Sequence, residues 1–201
     1  MEVHTRHTPS FGVARLALAG GEAVRADRNA LLACSFGVTI TTDGRGKGSL
    51  AVFTAPADGG WIDLAPDTAG DVYPLELDGQ RGWCVARDAV LAEPPGVRRN
   101  PQWPGFAPLF GSDAGFLEYC SGMGTLVLTC AGPIDAFELG HGELISMNPA
   151  YLLAYPEGMQ CRLRAIDPAG HQSLRTGEGL LLDFAGPGTV LSRARSPRAS
   201  V

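Results

Sequence analysis

One segment of this chain occurs three times at nearly constant spacing, and this repetition limits the possible folds more than any other sequence feature. Residues 31–38 (LLACSFGV) align with residues 90–97 (VLAEPPGV) and with residues 152–159 (LLAYPEGM), at offsets of 59 and 62 residues. The segment reads as a short apolar strand that ends in a turn. The chain is therefore expected to contain three copies of one strand unit.

A second recurring segment begins with glycine and follows the first in each copy. It occupies residues 60–64, 124–128 and 188–192, at a constant offset of 64 residues. Two matching segments in the same order predict three internal repeats, and they predict a positive φ at the leading glycines Gly60, Gly124 and Gly188. The approximate bounds of the repeats are 10–70, 71–131 and 132–195.

Composition favours strands over helices throughout the chain. Of its 201 residues, 27 are glycine and 15 are proline, and both residue types are unfavourable inside helices. Apolar and polar residues alternate in segments such as 126–129 and 161–164, which gives each strand one buried and one solvated face. Residues 80–92 can be read as helix or strand, and their alignment with the other copies favours strand.

Three segments resemble a known family. They are residues 176–197 (TGEGLLLDFAGPGTVLSRARSP), 53–60 (FTAPADGG) and 105–111 (GFAPLFG), and they resemble the altered-inheritance-of-mitochondria twenty-four family. The likeness covers nearly the whole chain. The chain departs from the family pattern at residues 43–48 (DGRGKG), where a longer glycine- and lysine-rich stretch is typical of the family.

The resemblance implies a double-stranded β-helix of the kind grouped with the tryptophan RNA-binding attenuation protein, with repeated β units and a tendency to form homo-oligomers. It implies no agreed enzyme activity and no catalytic residue, and a yeast mitochondrial member is associated with inner-membrane organisation. We therefore expect one all-β domain over residues 1–201. Its form should be a double-stranded β-helix or β-sandwich, built from the three repeats with pseudo-threefold symmetry.

Charge and hydropathy exclude several classes of partner. The net charge is −5 and Lys47 is the sole lysine, so no basic surface suited to nucleic acid is expected. The longest uncharged stretch, residues 119–134, is too short and too rich in glycine for a transmembrane segment. The first residues lack the apolar core of a secretory signal. We expect a cytoplasmic protein without a transmembrane segment.

Cysteine and histidine usage indicates no cofactor or metal. The five cysteines are an odd number without any C-x-x-C pair, so reduced and mostly buried thiols are expected: Cys34, Cys84, Cys120, Cys130 and Cys161. The four histidines lack the His-x-His and glutamate pattern of a metal-binding cupin: His4, His7, His141 and His171. Neither residue type predicts catalysis.

Two carboxylates occupy matching repeat positions and are weighed as an acid–base pair. Glu76 and Glu138 each lie between apolar residues, which instead indicates outward-facing positions on equivalent strands. No serine lies in a Gly-x-Ser-x-Gly setting. No catalytic residue is therefore predicted.

A proline-rich connection supplies the candidate interface. Residues 101–110 (PQWPGFAPLF) place Trp103, Phe106 and Phe110 in a segment that cannot form a regular strand. Such aromatic side chains either fold back onto the core or contact another subunit. Because a chain of many short strands also has open edges to cover, we expect a homo-oligomer with these residues at or near its interface.

Two functions remain after these exclusions. The first is a non-enzymatic scaffold or binding protein of unknown partner that self-assembles, with a position next to the membrane left open. The second is a small-ligand-binding protein or enzyme with a pocket between repeats. Its clue is a set of polar residues that interrupt the repeat pattern, such as His141 and Glu143.

Overall fold

The computed structural model describes residues 1–42, 50–100, 116–166 and 179–195, and these ranges form β-strands joined by turns. Residues 1–64 contain β1 (Glu2–Arg6), β2 (Val13–Leu18), β3 (Ala23–Asp27), β4 (Leu31–Cys34), β5 (Thr39–Thr42), β6 (Leu50–Thr54) and β7 (Gly60–Leu64). Residues 70–131 contain β8 (Gly70–Asp78), β9 (Trp83–Ala86), β10 (Val90–Glu93), β11 (Val97–Asn100) and β12 (Leu117–Ala131). Residues 134–193 contain β13 (Ile134–Leu139), β14 (Leu144–Met147), β15 (Leu152–Pro156), β16 (Gln160–Ala165), β17 (Leu180–Ala185) and β18 (Gly188–Arg193).

The described part of the chain confirms the all-β prediction. Its only helical elements are single 3-10 turns at Arg28–Ala30 and Pro149–Tyr151, each capped by the side chain of the preceding residue. Residues 80–92 form β9 and β10 rather than a helix. Every pairing between the named strands is antiparallel.

All named strands except β1 pair in groups of three, in which a central strand lies between two others. Strand β1 pairs with β2 at the edge of one of these groups. One set of groups, called here the A-trios, comprises β2–β7–β4, β8–β12–β10 and β13–β18–β15. The other set, the B-trios, comprises β3–β6–β5, β9–β12–β11 and β14–β17–β16. Strand β12 is central in one trio of each set, because its two halves pair with different partners.

The three recurring segments begin with the strands β4, β10 and β15. The register of each of these strands shifts once against the central strand of its A-trio. The shift lies between Leu31 and Ala33 in β4, between Val90 and Ala92 in β10, and between Leu152 and Ala154 in β15. Each strand then ends in a turn. The expectation that these segments are strand and turn is confirmed.

Two strand pairings join one trio to the next along the chain. At the first junction β10 pairs with β3, with Ala92 opposite Ala26 and Glu93 opposite Arg25. At the second junction β15 pairs with β9, with Ala154 opposite Val85. The outer strand of an A-trio therefore extends the B-trio that precedes it in sequence.

The apolar core lies between the two kinds of trio and continues across the junctions. One buried cluster contains side chains from β2, β3, β6 and β7 together with Leu91 of β10. A second cluster contains side chains from β8, β9, β12, β15, β17 and β18, and the rings of Tyr155 and Phe184 meet edge to face at 5.2 Å. Burial of these side chains, at about 25 cal/mol per Å² of apolar surface, holds the trios together.

The leading glycines differ from their prediction at one position. Gly124 and Gly188 adopt positive φ values of 123° and 151°, as expected, whereas Gly60 does not. At that turn the preceding residue Gly59 has the positive φ, at 83°. A Cβ at Gly60 would lie 2.5 Å from Oγ of Ser35, so a side chain there would displace this hydroxyl from its hydrogen bond with the backbone N of Trp61.

Candidate binding cavity and buried charges

A buried carboxylate fixes the first strands to β7. Asp63 accepts hydrogen bonds from Nε of Arg15 and Nη2 of Arg6, both at 2.8 Å. The guanidinium of Arg15 also lies over the ring of Trp61, 4.2 Å from its centre. The hydrogen bond from Arg15, followed by that from Arg6, lowers the pKa of Asp63 to about 2. This group is ionised at neutral pH and acts as a structural link between strands.

The first junction carries a second buried group of charges. Glu93 lies 2.9 Å from Arg25 and 3.5 Å from Arg99, and Arg99 also lies 2.7 Å from Glu118. Both glutamates are almost fully buried. Burial raises the pKa of Glu118, while the hydrogen bond from Arg99 opposes that rise. Two carboxylates this close resemble an acid–base pair, but the arginines between them hold them as ion pairs.

A cavity of about 490 Å³ lies where β10, β12 and β18 approach the loop after β7. Its charged lining consists of three aspartates and two arginines: Asp27, Asp67, Asp88, Arg193 and Arg195. Thr68 and Thr129 add hydroxyl groups. The cavity therefore offers both signs of charge to a ligand.

Arg193 is the buried member of this lining. Its Nη1 and Nη2 donate to the carboxylate of Asp88 at 2.7 and 3.2 Å, and Nη2 also approaches the carbonyl oxygen of Leu152 at 3.5 Å. Its Nε is buried and has no hydrogen-bond partner among the described residues. A buried donor without a partner is costly, by about 1–3 kcal/mol.

The cysteines lie in or beside the apolar core as free thiols. Cys84, Cys120 and Cys130 are buried, and Cys34 and Cys161 are half-buried. Burial raises the pKa to about 11 for Cys84 and Cys130 and to about 12 for Cys120 and Cys161. Thiols with such pKa values are poor nucleophiles.

The histidines do not converge. His4 is exposed on β1 beside Glu2, His7 follows that strand with φ of 59°, and His141 lies in the exposed turn after β13. Within the described ranges no three metal-ligating side chains come together. His171 lies outside the described residues.

The other polar candidates occupy structural positions. Glu76 and Glu138 are exposed on β8 and β13, and Glu76 accepts a hydrogen bond from Thr125. Glu143 accepts a hydrogen bond from the backbone N of Gly140 at 2.7 Å, just as Glu22 does from that of Ala19 at 2.8 Å. Glu143 therefore closes a turn of the same kind as Glu22, whereas the corresponding turn of the middle copy is closed by Asp78, which accepts from the backbone N of Arg81.

The predicted interface residues Trp103, Phe106 and Phe110 lie outside the described residues. The structure instead exposes large apolar side chains at two strand edges, Leu32 and Phe36 in and after β4 and Leu144 on β14. Sequence reasoning missed Leu32 because it occupies a recurring apolar position whose other copies, Leu91 and Leu153, are buried. The signal that marks Leu32 is its position in the first copy of the recurring segment.

None of the helical elements in the described ranges is long and apolar enough to cross a membrane.

Comparison with solved structures identifies a similar fold. A crystal structure of a Streptococcus pyogenes protein, determined in a structural genomics programme, superposes with a TM-score of 0.74. The two chains are 20% identical, and the match covers 97% of this chain and 94% of the other. At this identity the likeness establishes the fold alone.

Comparison with protein families gives one match over nearly the whole chain. The family model described as "Mitochondrial biogenesis AIM24" matches residues 3–195. A search of curated proteins finds no match.

Proposed function

This chain belongs to the mitochondrial biogenesis AIM24 family, and from that membership we propose that it is a non-enzymatic, self-assembling scaffold or binding protein. The observation that carries the proposal is the exposure of large apolar side chains at the edges of β4 and β14. Uncovered apolar side chains at strand edges favour association with protein. The partner is then protein rather than nucleic acid, and the expected compartment is the cytoplasm.

The proposal includes an architecture of three equivalent units with pseudo-threefold symmetry, in the manner of a double-stranded β-helix. Three observations support it. Each unit contributes one A-trio and one B-trio, the strands β4, β10 and β15 share one irregularity, and Glu22 and Glu143 close equivalent turns. Superposition of the three units in an experimental structure tests it, and a unit with a different strand order would contradict it.

Self-assembly is tested first on the purified full chain. Light scattering at micromolar concentration is expected to give a mass several times 21.1 kDa. A stable monomer at that concentration would overturn the proposal. In the native host, single alanine variants of the exposed residues Asp67, Thr68 and His141 should each restore a deletion strain, since a scaffold depends on no single polar group.

The aromatic segment at 101–110 is proposed as part of the interface. Replacing Trp103 and Phe106 by serine should lower the mass measured by light scattering, because these side chains would contribute apolar contact area. A mass equal to that of the wild type would show that the segment does not contribute.

The cavity supports a second candidate function, the binding of a small ligand. The lining carries both arginine and aspartate, and its Arg195 and Asp67 are exposed. Such a lining favours a zwitterion, with its acidic group towards Arg195 and its cationic group towards Asp67. A thermal-shift screen with the free amino acids tests this, and a positive shift that is lost in Asp67→Asn would favour ligand binding over the scaffold.

A further inference from the structure

We propose that the chain assembles head to tail, with strand β4 of one copy pairing with strand β14 of the next in the manner of the two internal junctions. The proposal rests on the self-assembly proposed above and specifies its surface. The interface would be a third junction, formed between copies rather than within one chain.

The pairing pattern leaves two complementary edges. Strands β3 and β9 are each covered by the outer strand of the following A-trio, β10 and β15. Among the described residues, β4 pairs only with β7 and β14 pairs only with β17. The first A-trio has no preceding B-trio to extend, and the last B-trio has no following A-trio to cover it. One edge is therefore the missing partner of the other.

Side-chain burial at the β4 edge agrees with a missing neighbour. Leu32, Leu91 and Leu153 occupy the same position in the recurring segment. Leu91 and Leu153 lie at the internal junctions and are 3% and 0% exposed, whereas Leu32 is 57% exposed. The same residue type at the same position is thus buried wherever a junction forms.

Two side chains in the last part of the chain are also more exposed than their counterparts in the other two copies. Phe137 occupies the position of Leu16 and Leu75, which are 0% and 5% exposed, yet Phe137 is 42% exposed. Tyr151 is exposed where its counterparts Ala30 and Ala89 are buried. Leu16 and Ala30 share a buried cluster with Leu91 of β10, so Phe137 and Tyr151 would be covered by a further strand equivalent to β10.

The internal junctions also give the register. Ala92 lies opposite Ala26 and Ala154 opposite Val85, so Ala33 would lie opposite Met147 of the next copy. At the second junction the backbone N of Glu157 donates to the carbonyl oxygen of Gly82 at 2.8 Å. The equivalent bond would join the backbone of Phe36 to that of Leu144, which brings two exposed apolar side chains together.

The sequence of the two edges permits this pairing. Residues 31–36 and 144–147 contain no charged residue and no proline. Natural edge strands are commonly protected from pairing by such residues. Pairing of extended edges supplies backbone hydrogen bonds, and the apolar contacts add affinity.

A head-to-tail interface has two different halves, and this gives a decisive test. The head-blocked variant carries Leu32→Glu and Phe36→Glu, and the tail-blocked variant carries Phe137→Glu and Leu144→Glu. Each variant alone should scatter light as a monomer, since a buried glutamate opposes pairing. Mixed in equal amounts, the two should form a dimer and nothing larger, because each retains the half that the other has lost.

The control is Met123→Glu, at a residue that is 68% exposed against 73% for Leu144 and lies on β12 away from both edges. It should keep the wild-type mass. Circular dichroism checks that all variants are folded. If either blocked variant still forms dimers alone, the interface joins identical halves and the proposal is wrong.

A second measurement does not depend on charged variants. A chain carrying Phe36→Cys and Leu144→Cys should form a ladder of disulfide-linked chains on a non-reducing gel, while each single variant should not. Absence of the ladder, or a ladder from Phe36→Cys alone, would overturn the proposal. If both blocked variants keep the wild-type mass while the Trp103 and Phe106 variant dissociates, this interface is wrong and self-assembly stands. A monomeric wild-type protein would contradict both the proposed self-assembly and the proposed pairing of β4 with β14.

Discussion

At the scale of single residues, charges in this protein connect strands that are distant in sequence. Asp63 binds Arg15 across 48 residues, and Arg193 binds Asp88 across 105. In each pair one partner is buried and the other is partly exposed. Loss of the exposed partner is destabilising, because it leaves a buried charge without its counter-ion. Their main effect here is to fix strand order and register.

Replacing Asp63 by asparagine is expected to lower the free energy of unfolding by about 2 kcal/mol at pH 7, from the depressed pKa of the carboxyl group. The folded-state pKa of about 2 lies below the unfolded value. The stabilisation is therefore complete above about pH 5 and is lost as the pH falls through 4 towards 2. Urea unfolding of Asp63→Asn and wild type at pH 7 and pH 3 measures it. Asp58→Asn, at an exposed residue, is the control, and an equal loss at both pH values would contradict the assignment.

The five cysteines should all be reduced and slow to react in the folded protein. Iodoacetamide at pH 7 is expected to leave Cys84, Cys120 and Cys130 unmodified, because burial both shields these thiols and raises their pKa. Mass spectrometry of the alkylated, unreduced protein makes the measurement. A specific disulfide in that spectrum would show the prediction to be wrong.

At the scale of elements, close backbone approach decides where glycine is required. Gly122 lies in β12 with φ of 119°, and a Cβ there would lie 2.0 Å from the carbonyl oxygen of Gly96. This contact lets β12 leave β11 and continue along β8. A side chain at Gly122 would separate the two strands.

Gly122→Ala should therefore destabilise the protein by about 3 kcal/mol, from the clash and the positive φ together. Gly142→Ala is the matched control, since Gly142 has φ of 80° and a Cβ added there would meet no atom within 4 Å. It should cost about 1 kcal/mol, which isolates the conformational part. Thermal unfolding of both variants measures the difference, and equal losses would rule out the close approach.

The sequence predicted strands better than it predicted their pairing. Alternation and the recurring segments indicated β4, β10 and β15, because burial of one strand face leaves a local pattern. The single strand β12 was not foreseen, since Gly122 and Gly124 look like turn residues. The junctions and the cavity around Arg193 were also beyond prediction, because they depend on contacts between distant strands that leave no local signal.

At the scale of the whole molecule, the proposed interface makes stability depend on protein concentration. An interaction that exists only between folded copies stabilises the folded state by mass action. The wild-type Tm should rise by about 3 °C for each tenfold increase in concentration, for a domain of this size. The Tm of the head-blocked variant should stay constant. Calorimetry at three protein concentrations measures the Tm of both proteins. If the Tm of the two proteins changed equally with concentration, the interface would be excluded as a source of stability.

Strand β12 has a consequence for how the molecule unfolds. It pairs with β8, β9, β10 and β11, so it takes part in both kinds of trio without an intervening loop. The two trios that share β12 cannot open separately, because releasing either one frees part of the same strand. The trios formed by β2–β7 and those formed by β13–β18 share no strand. Partial opening should therefore begin at the ends of the molecule and stop at its centre, where the slowest exchange of amide hydrogens with solvent is expected along residues 117–131.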